Sequence, residues 1–182
     1  DLHSFPTRRS SDLWQMIREL GPLLAAVLIA GRSGSAITAQ IGVMRVTEEL
    51  DAMRVLGIAQ GFRLVLPRAL ALAVAMPLLV VWTSLMALLG GMLAADITLG
   101  ITPSFFMHTL PQAVRVSNLA LAVGKSVVFG VAIALIGCHY GLQVKPNTES
   151  LGRGTTASVV AAITAVILID ALFAVLFKSV GI

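Results

Sequence analysis

The chain has 182 residues, of which 57% are hydrophobic and only 12% charged, with a formal net charge of +4 and a mean hydropathy of +0.93. A soluble domain carries about 25% charged residues, so this is the composition of an integral membrane protein; without a basic patch interleaved with aromatics, the positive charge does not indicate nucleic acid. The single cysteine, Cys138, excludes an intrachain disulfide, and with no C-x-x-C spacing it points to neither metal nor redox chemistry.

In chain order, the first segment is DLHSFPTRRSSDL. It is polar, carries Arg8 and Arg9, and has no apolar stretch of the kind a signal peptide needs. It reads as a translated sequencing adapter joined to a reading frame, so residues 1–13 are set aside and residues 14–182 are taken as the domain. Crossing a bilayer takes about 20 mostly apolar residues. Four windows meet that requirement: about Leu20 to Met44, Leu64 to Ala95, Val116 to Tyr140 and Thr156 to Phe177. The second holds Pro67 and Pro77, which a membrane helix tolerates when neighbours satisfy the freed carbonyls. Backbone groups in hydrocarbon must be satisfied internally, so the fold class is all-α: a polytopic membrane helical bundle of four transmembrane helices and a short cytoplasmic helix.

Lys and Arg in short loops set the orientation. Segment 45–68, from the end of the first window into the start of the second, holds Arg45, Arg54, Arg63 and Arg68, and the loop between the last two holds Lys145 and Arg153. The other side offers Arg115, with Lys178 at the C-terminus. The bias places segments 45–68 and 141–155 in the cytoplasm and the C-terminus outside.

Between Gly31 and Gly42 the first window is crowded with small residues: Gly31, Ser33, Gly34, Ser35, Ala36, Ala39 and Gly42. Small side chains let membrane helices approach closely, so this stretch is a candidate packing surface, within the chain or in a dimer or moving gate. TEELDAMRVLGI follows, with Leu50, Met53 and Leu56–Gly57 at helical spacing and Glu48, Glu49 and Asp51 in the first turn, where the helix dipole favours acids. A helix lying on anionic lipid is rich in Lys and Arg; this one is acidic in its first half, which favours a cytoplasmic protein partner.

Ionisable residues within spans are candidates for function. Arg18 and Glu19 stand at the outer end of the first span, next to Gly21–Pro22, where proline suits a first helical turn. Arg32 lies deeper, Lys125 is within the third span and Asp170 within the fourth; Lys125 and Asp170 are of opposite sign and suit an interhelical pair. No chain of Asp, Glu and His suggests a proton relay, and His139 reads as interfacial. GRSG, residues 31–34, fits the G-x-S-G pattern of rhomboid intramembrane proteases, with Ser33 as nucleophile and His139 as base. Four positions in a stretch already rich in small residues are a weak match, and Ser33 falls near mid-membrane while His139 falls at the cytoplasmic face.

The stretch ELGPLLAAVLIAGRSGSAITAQIGVMRVTEELDAM closely resembles the signature region of the MlaE family of ABC-transporter permeases, the MlaE/YrbE group. GKSVVFG and GRGTTASVV resemble later segments of that family in the same order. The resemblance implies a homodimeric permease in the bacterial inner membrane that moves phospholipid or related lipid between membranes. Its implied partners are a second permease protomer, a cytoplasmic ABC ATPase and a periplasmic MCE-domain lipid-binding protein. It further implies that Glu48, Glu49, Asp51 and Arg54 belong to a coupling helix docking on the ATPase, and that Arg18 and Glu19 lie near the lipid-binding cavity between protomers. The family has an interfacial helix and a further span upstream, both replaced here by the adapter-like segment. No cofactor is implied in this chain, which has no G-x-x-x-x-G-K-[ST] loop, so ATP would sit on the partner. An ion-coupled secondary transporter is the alternative from another class.

Overall fold

The computed structural model describes residues 21–99 and 116–176. Residues 1–20, with Arg18 and Glu19, lie outside the described residues, as do Arg115 and Lys178. Five helices follow one another, with no strand among the described residues: α1 (Gly21–Val46), α2 (Glu49–Val55), α3 (Leu66–Leu99, led in by a π-helical turn at Gly61–Val65), α4 (Val116–Gln143) and α5 (Thr148–Leu176). Four of them are long and apolar enough to cross a membrane: Gly21–Val46, Gly61–Leu93, Leu121–Gln143 and Thr148–Leu176. The all-helical bundle read from the sequence is therefore the fold.

α4 is the hub of the bundle, packed against α1, α3 and α5. Its Phe129, Ile133, Ala134 and Cys138 are buried among Ile37 and Ile41 of α1, Leu72 and Met76 of α3, and Ala162 and Val166 of α5. Lipid tails are as apolar as these side chains, so burial alone does not hold the helices together and close backbone approach does. Gly130 of α4 lies against the Leu72 carbonyl of α3, and a Cβ there would also meet Met76 Cγ at 2.9 Å. Gly141 faces Ile41 of α1 in the same way, with 2.8 Å to its Cβ. Small residues of α1 and α4 meet where Gly137 lies against the Gly34 carbonyl; Gly42 lies instead against Val144, just past α4, and Leu151 of α5, and beside Gly31 a Cβ would meet nothing among the described residues.

One polar junction crosses this seam. Thr38 is fully buried, and its Oγ1 lies 3.0 Å from the Gly34 carbonyl, 3.0 Å from the Gly137 carbonyl and 2.7 Å from Ser158 Oγ. A hydroxyl has one proton, so Thr38 donates to one carbonyl while Ser158 can donate back to it. The junction links α1, α4 and α5.

Two turns depart from the α-helical repeat. In α1, Ala30–Gly34 forms a π-helical turn. Ser35 Oγ donates to the carbonyls of that turn, 2.5 Å to Gly31 and 3.0 Å to Arg32. Ahead of α3, the turn at Gly61–Val65 carries a bond from Leu66 N–H to the Gly61 carbonyl, immediately before Pro67, which has no N–H to give and would crowd a regular preceding turn. Along α3, Leu72, Met76 and Val80 face the bundle, while Leu70, Val74, Leu78 and Trp82 point outward, a surface suited to acyl chains.

Replacing Thr38 with Val keeps the volume but removes the hydroxyl, leaving Ser158 and the Gly137 carbonyl without it. We expect a loss of about 1–2 kcal/mol, at the upper end for interhelical hydrogen bonds in membranes, read as a lowered midpoint of thermal unfolding in lipid nanodiscs. Ser158→Ala should cost less, because Thr38 keeps its carbonyl acceptors.

Candidate functional site

The end of the bundle carrying α2 and the α4–α5 loop gathers Arg45, Arg54, Arg63, Arg68, Lys145 and Arg153. α1 ends at Val46, where the Thr47 hydroxyl donates back to the Val43 carbonyl at 3.1 Å. Glu48 then reverses the chain with φ 63°, a left-handed conformation adopted by no other non-glycine among the described residues. Such a conformation costs roughly 1–2 kcal/mol and persists only where surrounding contacts impose it. Here the Glu48 carbonyl accepts from the N–H groups of Asp51 and Ala52, both at 3.1 Å, which starts α2.

α2 is held by three contacts. Arg45 at the end of α1 reaches Asp51 with a 2.9 Å ion pair. Leu50 is only 1% exposed, and its carbonyl accepts a 2.7 Å bond from Gln60 Nε2 at the start of the next segment. At the far end, Gly57 takes φ +71°, its N–H donating to the Arg54 carbonyl (3.0 Å) while Ile58 N–H reaches back to the Met53 carbonyl (2.9 Å). This paired closure is a Schellman cap, for which glycine is the residue of choice.

Two sequence expectations are corrected here. The helix begins at Glu49, so Glu48 is its entry residue and not part of the first turn, which holds Glu49 and Asp51. The inward apolar stripe stops at Met53, because the cap ends the helix and turns Leu56 out to 73% exposure, beside Val55 at 88%. The outward surface of α2 therefore combines exposed carboxylates at Glu48, Glu49 and Asp51 with an apolar tip of Val55 and Leu56, and Arg54 near Asp51 at 3.7 Å.

The neighbouring α4–α5 connection is also shorter than the sequence suggested. α5 begins at Thr148, not Thr156. Asn147 caps it, its Oδ1 accepting from Ser150 N–H at 2.7 Å, while Ser150 Oγ accepts from Lys145 N–H at 3.0 Å. The polar TESLGRG run is helical on the strength of that cap, with Glu149 and Arg153 paired at 3.1 Å one turn apart. Beside it lies an open depression of about 440 Å³, lined among others by Tyr140, Gln143, Lys145 and Arg153.

Inside the spans, Lys125 and Asp170 form an ion pair between α4 and α5, both largely buried, with Lys125 Nζ 5.7 Å from the centre of the Phe129 ring. Arg32 sits in the π-helical turn of α1 and is exposed on the surface of the chain. Ser33 and His139 are not brought together. α1 and α4 run side by side in the same direction, Gly34 near Gly137 and Ile41 near Gly141, so His139 lies more than a turn beyond Ser33. His139 is exposed and in edge contact with Tyr140 (5.8 Å). No serine–histidine pair forms, and no metal-binding group occurs among the described residues.

Sequence reading counted Arg68 only among the cations that set the orientation and did not single it out. It lies in the first turn of α3, packed toward the buried thiol of Cys138, with its Nη1 buried and without an acceptor. The clue was Pro67, which favours the opening turn of a helix and so puts its successor inside the span.

Removing one member of the Lys125–Asp170 pair strands the other, which costs about 3–5 kcal/mol when an ion pair is buried. Asp170→Asn should thus destabilise the protein strongly, and Lys125→Met combined with Asp170→Leu should recover much of the loss, measured as thermal midpoints of the single and double variants.

A family model described as the permease MlaE matches residues 13–176. A probable ABC transporter permease protein of Synechocystis is 38% identical over 151 residues, covering 83% of this chain and 57% of that protein. A probable ABC transporter permease protein of Rickettsia bellii is 33% identical over 165 residues, covering 91% and 64%. The chloroplastic protein TRIGALACTOSYLDIACYLGLYCEROL 1 of Arabidopsis thaliana is 33% identical over 153 residues, covering 84% and 44%. The chain spans about half to two thirds of the length of these relatives.

Proposed function

Because the chain belongs to the MlaE permease family, we propose that it is the membrane subunit of an ABC transporter that moves phospholipid or a related lipid between bacterial membranes. In this reading it works as a homodimer in the inner membrane with its C-terminus in the periplasm, driven by a cytoplasmic ATPase and served by a periplasmic MCE-domain lipid-binding protein. The observation that carries it is the exposed surface of α2. A segment fixed by Leu50, the Arg45–Asp51 pair and a Schellman cap presents carboxylates and an apolar tip outside the spans. A rigid, outward-facing helix of that kind can pass a partner's displacement to α1 through Arg45–Asp51 and toward α3 through the bond from Gln60 to the Leu50 carbonyl. A partner shifts the permease only by its differential affinity for two states, so a stiff connection is what coupling needs.

The naming of one relative after a galactosyl diacylglycerol supports a lipid cargo. An ion-coupled transporter fits less well, since the one acid well inside the described spans, Asp170, is already taken by Lys125. Arg18 and Glu19 complete the reading as an outer headgroup contact, the arginine offering a bidentate fork to phosphate.

Glu48 and Glu49 are exposed, and no ion pair within the described residues engages them, so they test the coupling surface without disturbing the fold. In the full-length complex, Glu48→Lys with Glu49→Lys should leave the permease inserted and folded while abolishing lipid-stimulated ATP turnover. Normal assembly and normal stimulation in that double variant would refute the assignment; a merely solvated face predicts a change of at most about 0.5 kcal/mol in stability and none in turnover.

Arg18→Glu should impair lipid transfer between donor and acceptor vesicles severely, and Arg18→Lys only in part. Transfer at the unaltered rate in both would place the lipid contact elsewhere.

A further inference from the structure

The outward face of α1 carries Leu24, Leu28, Arg32, Ala36 and Gln40, all exposed and spaced four residues apart. Leu24 and Leu28 suit hydrocarbon. Arg32 does not. It is about 17 Å along the helix from Gly21 and about 21 Å from Val46, so it lies near the middle of a hydrocarbon layer about 30 Å thick. A cation at that depth faces a cavity or a counter-charge and does not stand bare against lipid tails. The counter-charge does not come from the described spans. Their acids are Glu149, at the N-terminal end of α5 and paired with Arg153, and Asp170, paired with Lys125. A second copy of the chain would bring the same two engaged carboxylates in those spans. The backbone around Arg32 is specialised as well, since the π-helical turn that holds it is closed by the Ser35 hydroxyl, and single π turns recur at functional sites.

We propose that Arg32 is a mid-membrane binding site for the phosphate of an amphiphile's headgroup, with Leu24 and Leu28 on the same face accepting its acyl chains. The proposal rests on the lipid-permease reading above and deepens it by naming a station between the two membrane surfaces. The guanidinium supplies the missing neutralisation: an anion carried into the bilayer meets a cation with no counter-charge among the described residues, and each lowers the cost of the other's burial. The phosphate is that of a lipid and not the free ion, because the flanking face is apolar.

The test uses the full-length permease in its transporter complex, reconstituted in vesicles, with Ala36 replaced by a photoreactive phenylalanine analogue. Vesicles carry radiolabelled phosphatidylglycerol or, with the same acyl chains, diacylglycerol. Labelling by phosphatidylglycerol should exceed that by diacylglycerol about tenfold, the equivalent of one charge-assisted hydrogen-bonded contact. Arg32→Gln should bring it down to the diacylglycerol level, and Arg32→Lys should hold it between the two. Equal labelling by the two lipids overturns the proposal, as does labelling unchanged by Arg32→Gln, crosslinking to a second copy of the chain in place of lipid, or complete suppression by excess inorganic phosphate. If Arg32→Gln fails to assemble, the comparison of the two lipids on the protein with native Arg32 decides alone. ATP-driven lipid transfer is followed in parallel. Headgroup-independent labelling with transfer intact removes only the role of Arg32, whereas absence of transfer by the native complex removes the permease reading itself.

Discussion

Three membrane helices meet at one buried hydroxyl. Thr38 is fully buried, and its hydroxyl bridges α1 to the Gly137 carbonyl of α4 and the Ser158 hydroxyl of α5, a junction that exists only while the three backbones stay close. That closeness limits which residues are allowed along the seam. Gly137 and Gly141 on α4, with Gly42 on α1, sit where an added Cβ would press on the neighbouring helices. The junction itself contributes modestly in energy, since hydrogen bonds between membrane helices average well below the vacuum value. Its effect is on geometry: with no solvent to take over a broken bond, the junction favours the register of α1 in which Thr38 meets Gly137 and Ser158.

The same register positions the surface outside the bilayer. α1 ends where Arg45 can hold Asp51, and α4 ends where Val144 packs against Gly42 and Gly154. The exposed acids and apolar tip of α2 are thereby fixed relative to the hub helix by short polar and apolar contacts, not by a flexible tether. A loop of the same composition without the Glu48 reversal and the Gly57 cap would present the same chemistry with no defined direction.

Much of the fold was legible in the sequence because hydropathy and length speak directly to the cost of placing backbone and charge in hydrocarbon. The four spans, and the pairing of Lys125 with Asp170, follow from that cost. What was not legible depends on local hydrogen bonding or on partners far away in the chain. The start of α5 was masked by a polar run whose helical state rests on the Asn147 side chain, and the exposure of Leu56 depends on where a cap falls. The packing surface of α1 was visible as a run of small residues, but its counterpart on α4 is only Gly137 and Gly141, with Gly130 turned to α3, too sparse a pattern to stand out. Arg68 was grouped with the loop cations because nothing near it in the chain shows that it packs toward Cys138. Of the candidate site, the acidic segment was readable and its orientation was not.

The Lys125–Asp170 pair has a consequence for how the protein is made. Lys125 leaves the ribosome 45 residues ahead of Asp170. During that interval α4 has a cation without its carboxylate, and releasing the helix alone into the bilayer costs about 2.5–3.5 kcal/mol for a lysine near the helix centre, less toward an interface. The helix around which the bundle is organised is thus poorly suited to enter the membrane by itself. Its cheapest route is to remain beside the insertion machinery until α5 arrives, so that the hub and its neighbour partition into lipid as a neutral pair.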